Sequence, residues 1–121
     1  MIGAMIIGTM TMLPACHPAT IEPGEADSAA VARGRAAAER LGCGACHAMP
    51  GIDWPKGTVG PPLAGFGDRA LIAGRFRNDA AVLAGFVRDA PALVPGTAMP
   101  PVAMTDDEAR DIAAWLQSLR E

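Results

Sequence analysis

Cys43-Gly44-Ala45-Cys46-His47 is the stretch that decides how the rest of the chain is read. Two cysteines three positions apart lie on one side of a single helical turn, so their thiols can reach one ligand together. The adjoining imidazole offers a nitrogen to a metal. A Cys-x-x-Cys-His run is the attachment signature of c-type haem. The thiols of Cys43 and Cys46 would add to two vinyl groups along one porphyrin edge, leaving His47 to bind iron. The remaining residues must then supply a sixth iron ligand, bury the macrocycle and deliver the domain to its compartment. Zinc is the alternative for the same thiolates, with Cys16 and His17 completing a four-ligand set. The long intervening segment is unlike a zinc knuckle, and a thioredoxin-like dithiol would need a strand-helix-strand pattern that does not surround these cysteines.

At 121 residues the chain has room for one domain. Aromatic residues make up only 4% and tyrosine is absent, a shortage that a large flat cofactor in the core would relieve. The net charge of −3 argues against a nucleic-acid partner and predicts that electrostatic docking uses a basic patch on the other protein. Of three cysteines, two belong to the motif, so no disulfide framework is implied.

Upstream, residues 1–15 carry no charged side chain and end in Leu13-Pro14-Ala15-Cys16. They resemble a lipoprotein signal peptide, with Cys16 as the lipidated first residue of the mature chain. An ordinary secretory leader cut elsewhere is the alternative. No Lys or Arg precedes the apolar run, where a signal peptide normally carries one. The run is too short for a membrane-spanning helix, which needs about 20 apolar residues. Residues 16–27 shift to Pro, Glu, Gly and Thr without apolar periodicity and read as a flexible tether. The domain proper is then 28–121. Asp27 or Ser28 is expected to cap a helix running to about Leu41, with Val31, Gly34, Ala38 and Leu41 in one stripe. Gly34 weakens that helix by roughly 1 kcal/mol relative to alanine, which close approach of another helix would compensate.

Downstream, Met49 to Gly67 is rich in Gly and Pro and reads as loop around the cofactor. A turn of helix is expected over Arg69 to Ala73. A second helix is expected from Asn78 as cap to Asp89, with Val82, Leu83, Phe86 and Val87 inward and Pro91 ending it. Ala92 to Val102 reads as loop. The last helix has the clearest signals. Thr105 and Glu108 form a capping box, Asp106 and Asp107 suit the positive helix start and Arg120 the negative end. Ala109, Ile112, Ala113, Trp115, Leu116 and Leu119 make its buried stripe. The acidic run reads as a solvated helix start, not a metal site. No strand pattern is visible, so the fold class expected is all-α.

From about Ala30 onward the chain resembles a class I cytochrome c, the small carriers whose first and last helices cross over the haem edge. In that family a glycine of the first helix meets an aromatic of the last, and Gly34 and Trp115 stand in those places. Gly60-Pro61-Pro62-Leu63 resembles the proximal loop, which implies that the Pro61 carbonyl orients His47 and that Leu63 contacts the haem. Pro95-Gly96-Thr97-Ala98-Met99-Pro100 resembles the distal loop, which implies Met99 as sixth ligand, with Met104 as its competitor and Met49 tethered on the wrong side. The stretch from Met49 to Gly74 is similar to small lipoprotein-type cytochromes associated with terminal oxidases, although Leu71 stands where a tyrosine is expected. Arg69, Arg75 and Trp54 are candidates to contact the haem propionates, with solvation of the arginines and core packing of Trp54 as the plainer readings.

The resemblance implies one covalent haem c with iron held by His47 and Met99, hence no open coordination position for substrate: an electron-transfer protein, not an enzyme. A thioether ligand and an apolar pocket raise the reduction potential. The expected role is a periplasmic carrier, lipid-anchored at Cys16, between a quinol-oxidising complex or dehydrogenase and a terminal oxidase. The alternatives are a haem-based sensor or gas-binding domain with a labile Met99, and a fixed haem subunit of a larger redox enzyme.

Overall fold

The computed structural model describes residues 23–121. The signal peptide, Cys16 and the greater part of the expected tether lie outside the described residues. Helix α1 spans Pro23–Arg40, α2 Ala80–Arg88, α3 Ala90–Leu93 and α4 Asp106–Ser118. Short 3₁₀ turns occupy Cys43–Ala45 and Phe66–Asp68, and a two-stranded antiparallel hairpin pairs β1, Leu71–Ile72, with β2, Phe76–Arg77. Among the described residues no helix is long and apolar enough to cross a membrane.

Helix α1 starts at Pro23, ahead of the cap expected at Asp27 or Ser28, so its first residues fall within the span read as tether. It ends where Gly42 adopts φ +77°, the left-handed conformation that closes a helix without a Cβ penalty. Its alanine-rich face packs on α4. The two helices come so close at Gly34 that an added Cβ would sit 1.9 Å from the Asp111 carbonyl oxygen. The nearest neighbours of Gly34 are therefore backbone atoms of Asp111 and Ile112, a turn before Trp115. Arg33 grips Asp111 from outside through Nε–Oδ2 at 2.7 Å and Nη2–Oδ1 at 3.0 Å. That bond, more than any other contact, holds the Arg33 guanidinium above its ordinary value.

Helix α4 is built as its sequence dictates. Thr105 Oγ1 accepts from the Glu108 N–H at 3.2 Å, while Glu108 Oε2 accepts from the Thr105 N–H at 2.8 Å. Ala109, Ile112, Ala113, Trp115 and Leu116 are buried, with Leu119 half-buried at the C-cap. Arg120 lies beyond the last turn and pairs with Asp68 at 2.9 Å.

Four expectations are corrected. In place of a helical turn over Arg69 to Ala73 there is the hairpin, whose turn has positive φ at both Ala73 (+50°) and Gly74 (+67°). That handedness matches the twist of a tight antiparallel pair, and it makes the domain mostly helical instead of strand-free. Asp79, not Asn78, caps α2, accepting from the Ala81 and Val82 N–H groups at 2.9 and 3.2 Å. Asn78 uses its amide donors elsewhere, on the carbonyls of Phe66 and Arg69. Pro91 opens α3 in its first turn, where no N–H is needed, and Asp89 is the residue between α2 and α3. Trp54 is 83% exposed, so it is not core.

Candidate functional site

The 3₁₀ turn Cys43–Ala45 does for the cysteines what their spacing asks. Cys46 N–H and His47 N–H both donate to the Cys43 carbonyl, at 3.2 and 3.1 Å, which winds Cys43, Cys46 and His47 around one tight corner. Both cysteines are free, and burial, the largest influence on Cys43, pushes its thiol above the ordinary value.

The proximal loop then closes on the imidazole. Gly57 N–H donates to Gly44 O, Gly60 N–H to Cys46 O and Leu63 N–H to Ala48 O, all at 2.8 to 2.9 Å. This ladder carries Pro61 to His47, whose Nδ1 lies 2.7 Å from the Pro61 carbonyl. A carbonyl only accepts, so Nδ1 carries the proton and Nε2 keeps its lone pair free for a metal. Gly60 lies flat against the same ring, and a Cβ there would stand 2.3 Å from His47 Cε1. Its part is invisible in the sequence, where it is one glycine among several in a loop.

In front of the imidazole opens a cleft of about 640 Å³, reached by Cys43, Cys46, His47, Pro61, Leu63 and Met99. It shares Cys43, His47, Leu63 and Met99 with a smaller, wholly apolar recess of about 70 Å³ against Trp115 and Ile112. Every one of the sequence-predicted cofactor residues from Cys43 onward thus borders the same space. Of the rival methionines, Met99 borders both cleft and recess, whereas Met49 and Met104 border the recess alone. Among the described residues no three His, Cys, Asp or Glu side chains gather to hold a metal ion; Cys16 and His17 of the zinc alternative lie outside the described residues.

The propionate candidates separate. Arg69 borders the cleft, donates from Nη2 to the Pro62 carbonyl at 2.6 Å and lies 5.3 Å above the Phe66 ring. Arg75 sits in the exposed hairpin turn, and Trp54 borders neither cavity. Behind Arg69, Asn78 and Gln117 tie the Phe66 turn and the hairpin to α4: Gln117 Nε2 donates to Asn78 O and Oδ1 at 3.3 Å. This polar pair lies 39 positions apart, and nothing local announces it.

The residues present fit a haem. A volume in the range of cofactor sites, apolar walls, two thiols on one rim, an imidazole with its outer nitrogen free and a thioether across the space are the donor set such a group requires. Cys43 and Cys46 would hold it covalently, His47 and Met99 would hold the iron, and the bound group would supply a one-electron couple.

Comparison with known proteins agrees. The family model for cytochrome c matches residues 31–120. Over 90 residues the chain is 34% identical to the cytochrome c oxidase subunit 2 of Alkalihalophilus pseudofirmus, a match covering 73% of this chain and 25% of that relative. The chain thus spans about a quarter of the relative's length. No solved structure matches it.

Proposed function

Because the chain belongs to the cytochrome c family, and so is a haem-bearing electron-transfer protein, we propose that it is a class I, lipoprotein-type member working as a single-electron carrier. One haem c is attached at Cys43 and Cys46, with His47 and Met99 as axial ligands. The observation that carries this is the 2.7 Å contact from His47 Nδ1 to the Pro61 carbonyl, on the rim of a cleft that Met99 also borders. The hydrogen bond fixes the ring's orientation and raises its basicity. Among the described residues no carboxylate lines the cleft, which disfavours added positive charge at the centre and raises the potential. Two protein ligands leave no position for substrate and change little on electron transfer. In this reading the carrier is anchored on the periplasmic side of a bacterial membrane through Cys16, takes electrons from a quinol-oxidising complex or dehydrogenase and passes them to a terminal oxidase. Tethering raises its effective concentration near such partners.

The ferric holoprotein is expected to show the weak long-wavelength band of iron–methionine ligation and to lose it in Met99→Ala. Loss in Met104→Ala instead would move the ligand. Membrane fractionation of Cys16→Ser tests the anchor, and an unchanged membrane signal would remove it.

A second reading rests on the similarity to an oxidase subunit: a haem domain held permanently in such a complex. Gel filtration of detergent-solubilised membranes separates the two, since a carrier elutes apart from the oxidase and a fixed domain elutes with it.

A further inference from the structure

The acidic run Asp106-Asp107-Glu108 reads from the sequence as one solvated helix start, but the fold sends its three carboxylates to three places. Glu108 pairs with Arg40 of α1, Asp107 with Arg110 one turn on in α4 itself, and Asp106 with Arg88, the last residue of α2. Arg88 is thereby held twice. Its carbonyl accepts from the Val102 N–H at 2.9 Å, and its guanidinium donates to Asp106. One residue thus grips both ends of the segment that carries the chain from the Met99 loop into α4. The carbonyl bond matters because Pro100 and Pro101 have no N–H to give, so Val102 carries the first backbone donor after Met99. Phe86 and Val87, the two residues before Arg88, line the apolar recess that Met99 borders, and Val102 borders the cleft. A shift of the α2 end away from α4 would therefore draw the recess wall and the distal loop apart together.

We infer that Arg88 is a positioning residue for Met99: its pairing with Asp106 keeps the Val102 N–H on the Arg88 carbonyl and so keeps the thioether at the sixth position of ferric iron. The inference rests on the reading of Met99 as axial ligand and adds what holds it there. A soft, uncharged thioether is a weak match for the harder ferric ion, so the grip on the loop decides how often that bond opens. Both members of the Arg88–Asp106 pair are exposed, which leaves the pair open to screening by salt. Each charge also sits at the helix end that favours it, Arg88 in the last turn of α2 and Asp106 in the first turn of α4. The leverage of the pair comes from its place, at the far end of the short span that starts with Val102.

The test is displacement of Met99 by added imidazole in the ferric holoprotein, followed by stopped-flow absorbance. An imidazole nitrogen forms the new bond to iron as the methionine sulfur leaves, with no change of oxidation state. At high imidazole the observed rate levels off at the rate of loop opening. That plateau should rise about threefold in Arg88→Gln and in Asp106→Asn, rise no further in the double variant, and return toward wild type in Arg88→Lys. Amide hydrogen exchange at Val102 should quicken in the same variants. Rising salt should raise the wild-type plateau and leave that of Arg88→Gln flat. Arg33→Gln, which breaks the Asp111 pair between α1 and α4, should lower the urea midpoint and leave the plateau alone. An equal rise there would tie the plateau to global stability and overturn the proposal. An unchanged plateau in Arg88→Gln, or additive effects of the two single variants, overturns it as well. Absence of the iron–methionine band from the wild-type spectrum overturns the ligand reading, and the proposal with it, on a readout separate from displacement.

Discussion

The proximal and distal sides of the cleft are held by different means. On the proximal side, three backbone bonds between Gly44 and Leu63, the Pro61 carbonyl and the flat face of Gly60 leave His47 one orientation. On the distal side, the loop bearing Met99 is fastened at its ends. Val102 N–H reaches the Arg88 carbonyl at 2.9 Å, Thr97 N–H closes a turn on Val94 O at 3.1 Å, and Thr97 Oγ1 accepts from Met99 N–H at 3.3 Å. Among the described residues no glycine lies against the Met99 side chain as Gly60 does against the imidazole. The lesson is that contacts to the ring itself orient the imidazole, whereas the loop backbone carries the thioether to the cleft.

The sharpest way to break this contrast is Gly60→Ala. A Cβ 2.3 Å from His47 Cε1 must push the ring off the Pro61 carbonyl, costing ~3 kcal/mol in chemical denaturation and lowering the yield of haem-attached protein. A variant with wild-type yield and stability would show the proximal side to be as adaptable as the distal. Next comes the methionine pair. Met104 packs against the core cluster, so Met104→Ala should cost ~2 kcal/mol with the ligation band intact, while Met99→Ala should remove the band at smaller cost to the apoprotein. Equal stability losses would mean that the distal loop is held by Met99 packing.

A smaller effect is expected at Asp79, whose carboxylate caps α2 and so sets Phe86 and Val87 on the cleft and recess walls. Asp79→Ala should lose ~1 kcal/mol in urea titration without shifting the absorption spectrum. The smallest effect lies in pH. The Thr105 N–H, followed by the Thr105 hydroxyl and Arg40, holds the Glu108 carboxyl below its ordinary value of 4.5. A lowered folded value means that Glu108 adds stability above that ordinary value and loses it as pH falls through the folded one. Urea midpoints measured from about pH 6 to about pH 3 should therefore fall less steeply in Glu108→Gln than in wild type. Because Thr105 follows directly on Met104, the same titration reports how firmly the distal loop's end is anchored.

Legibility in the sequence followed the range of each interaction. The capping box, the buried stripe of α4 and the Cys-x-x-Cys-His corner are all made within a few residues, and each reads directly. The hairpin did not, because Ala73 takes a positive φ that its side chain disfavours, and the pairing of Leu71 with Arg77 and Ile72 with Phe76 is what closes the turn. Asn78 looked like a cap because nothing nearby revealed that Phe66, Arg69 and Gln117 would occupy its amide.

By itself, the sequence determined that Cys43, Cys46 and His47 share one tight corner and that a capped helix from Thr105 buries Trp115. Those follow from spacing along a chain whose local geometry is known in advance. Tertiary structure alone decided that Gly34 meets the backbone of Asp111 and Ile112, and that Gly60 rests on the imidazole. Each of these depends on which distant residues come within a few ångströms, and that is set by packing, not by periodicity.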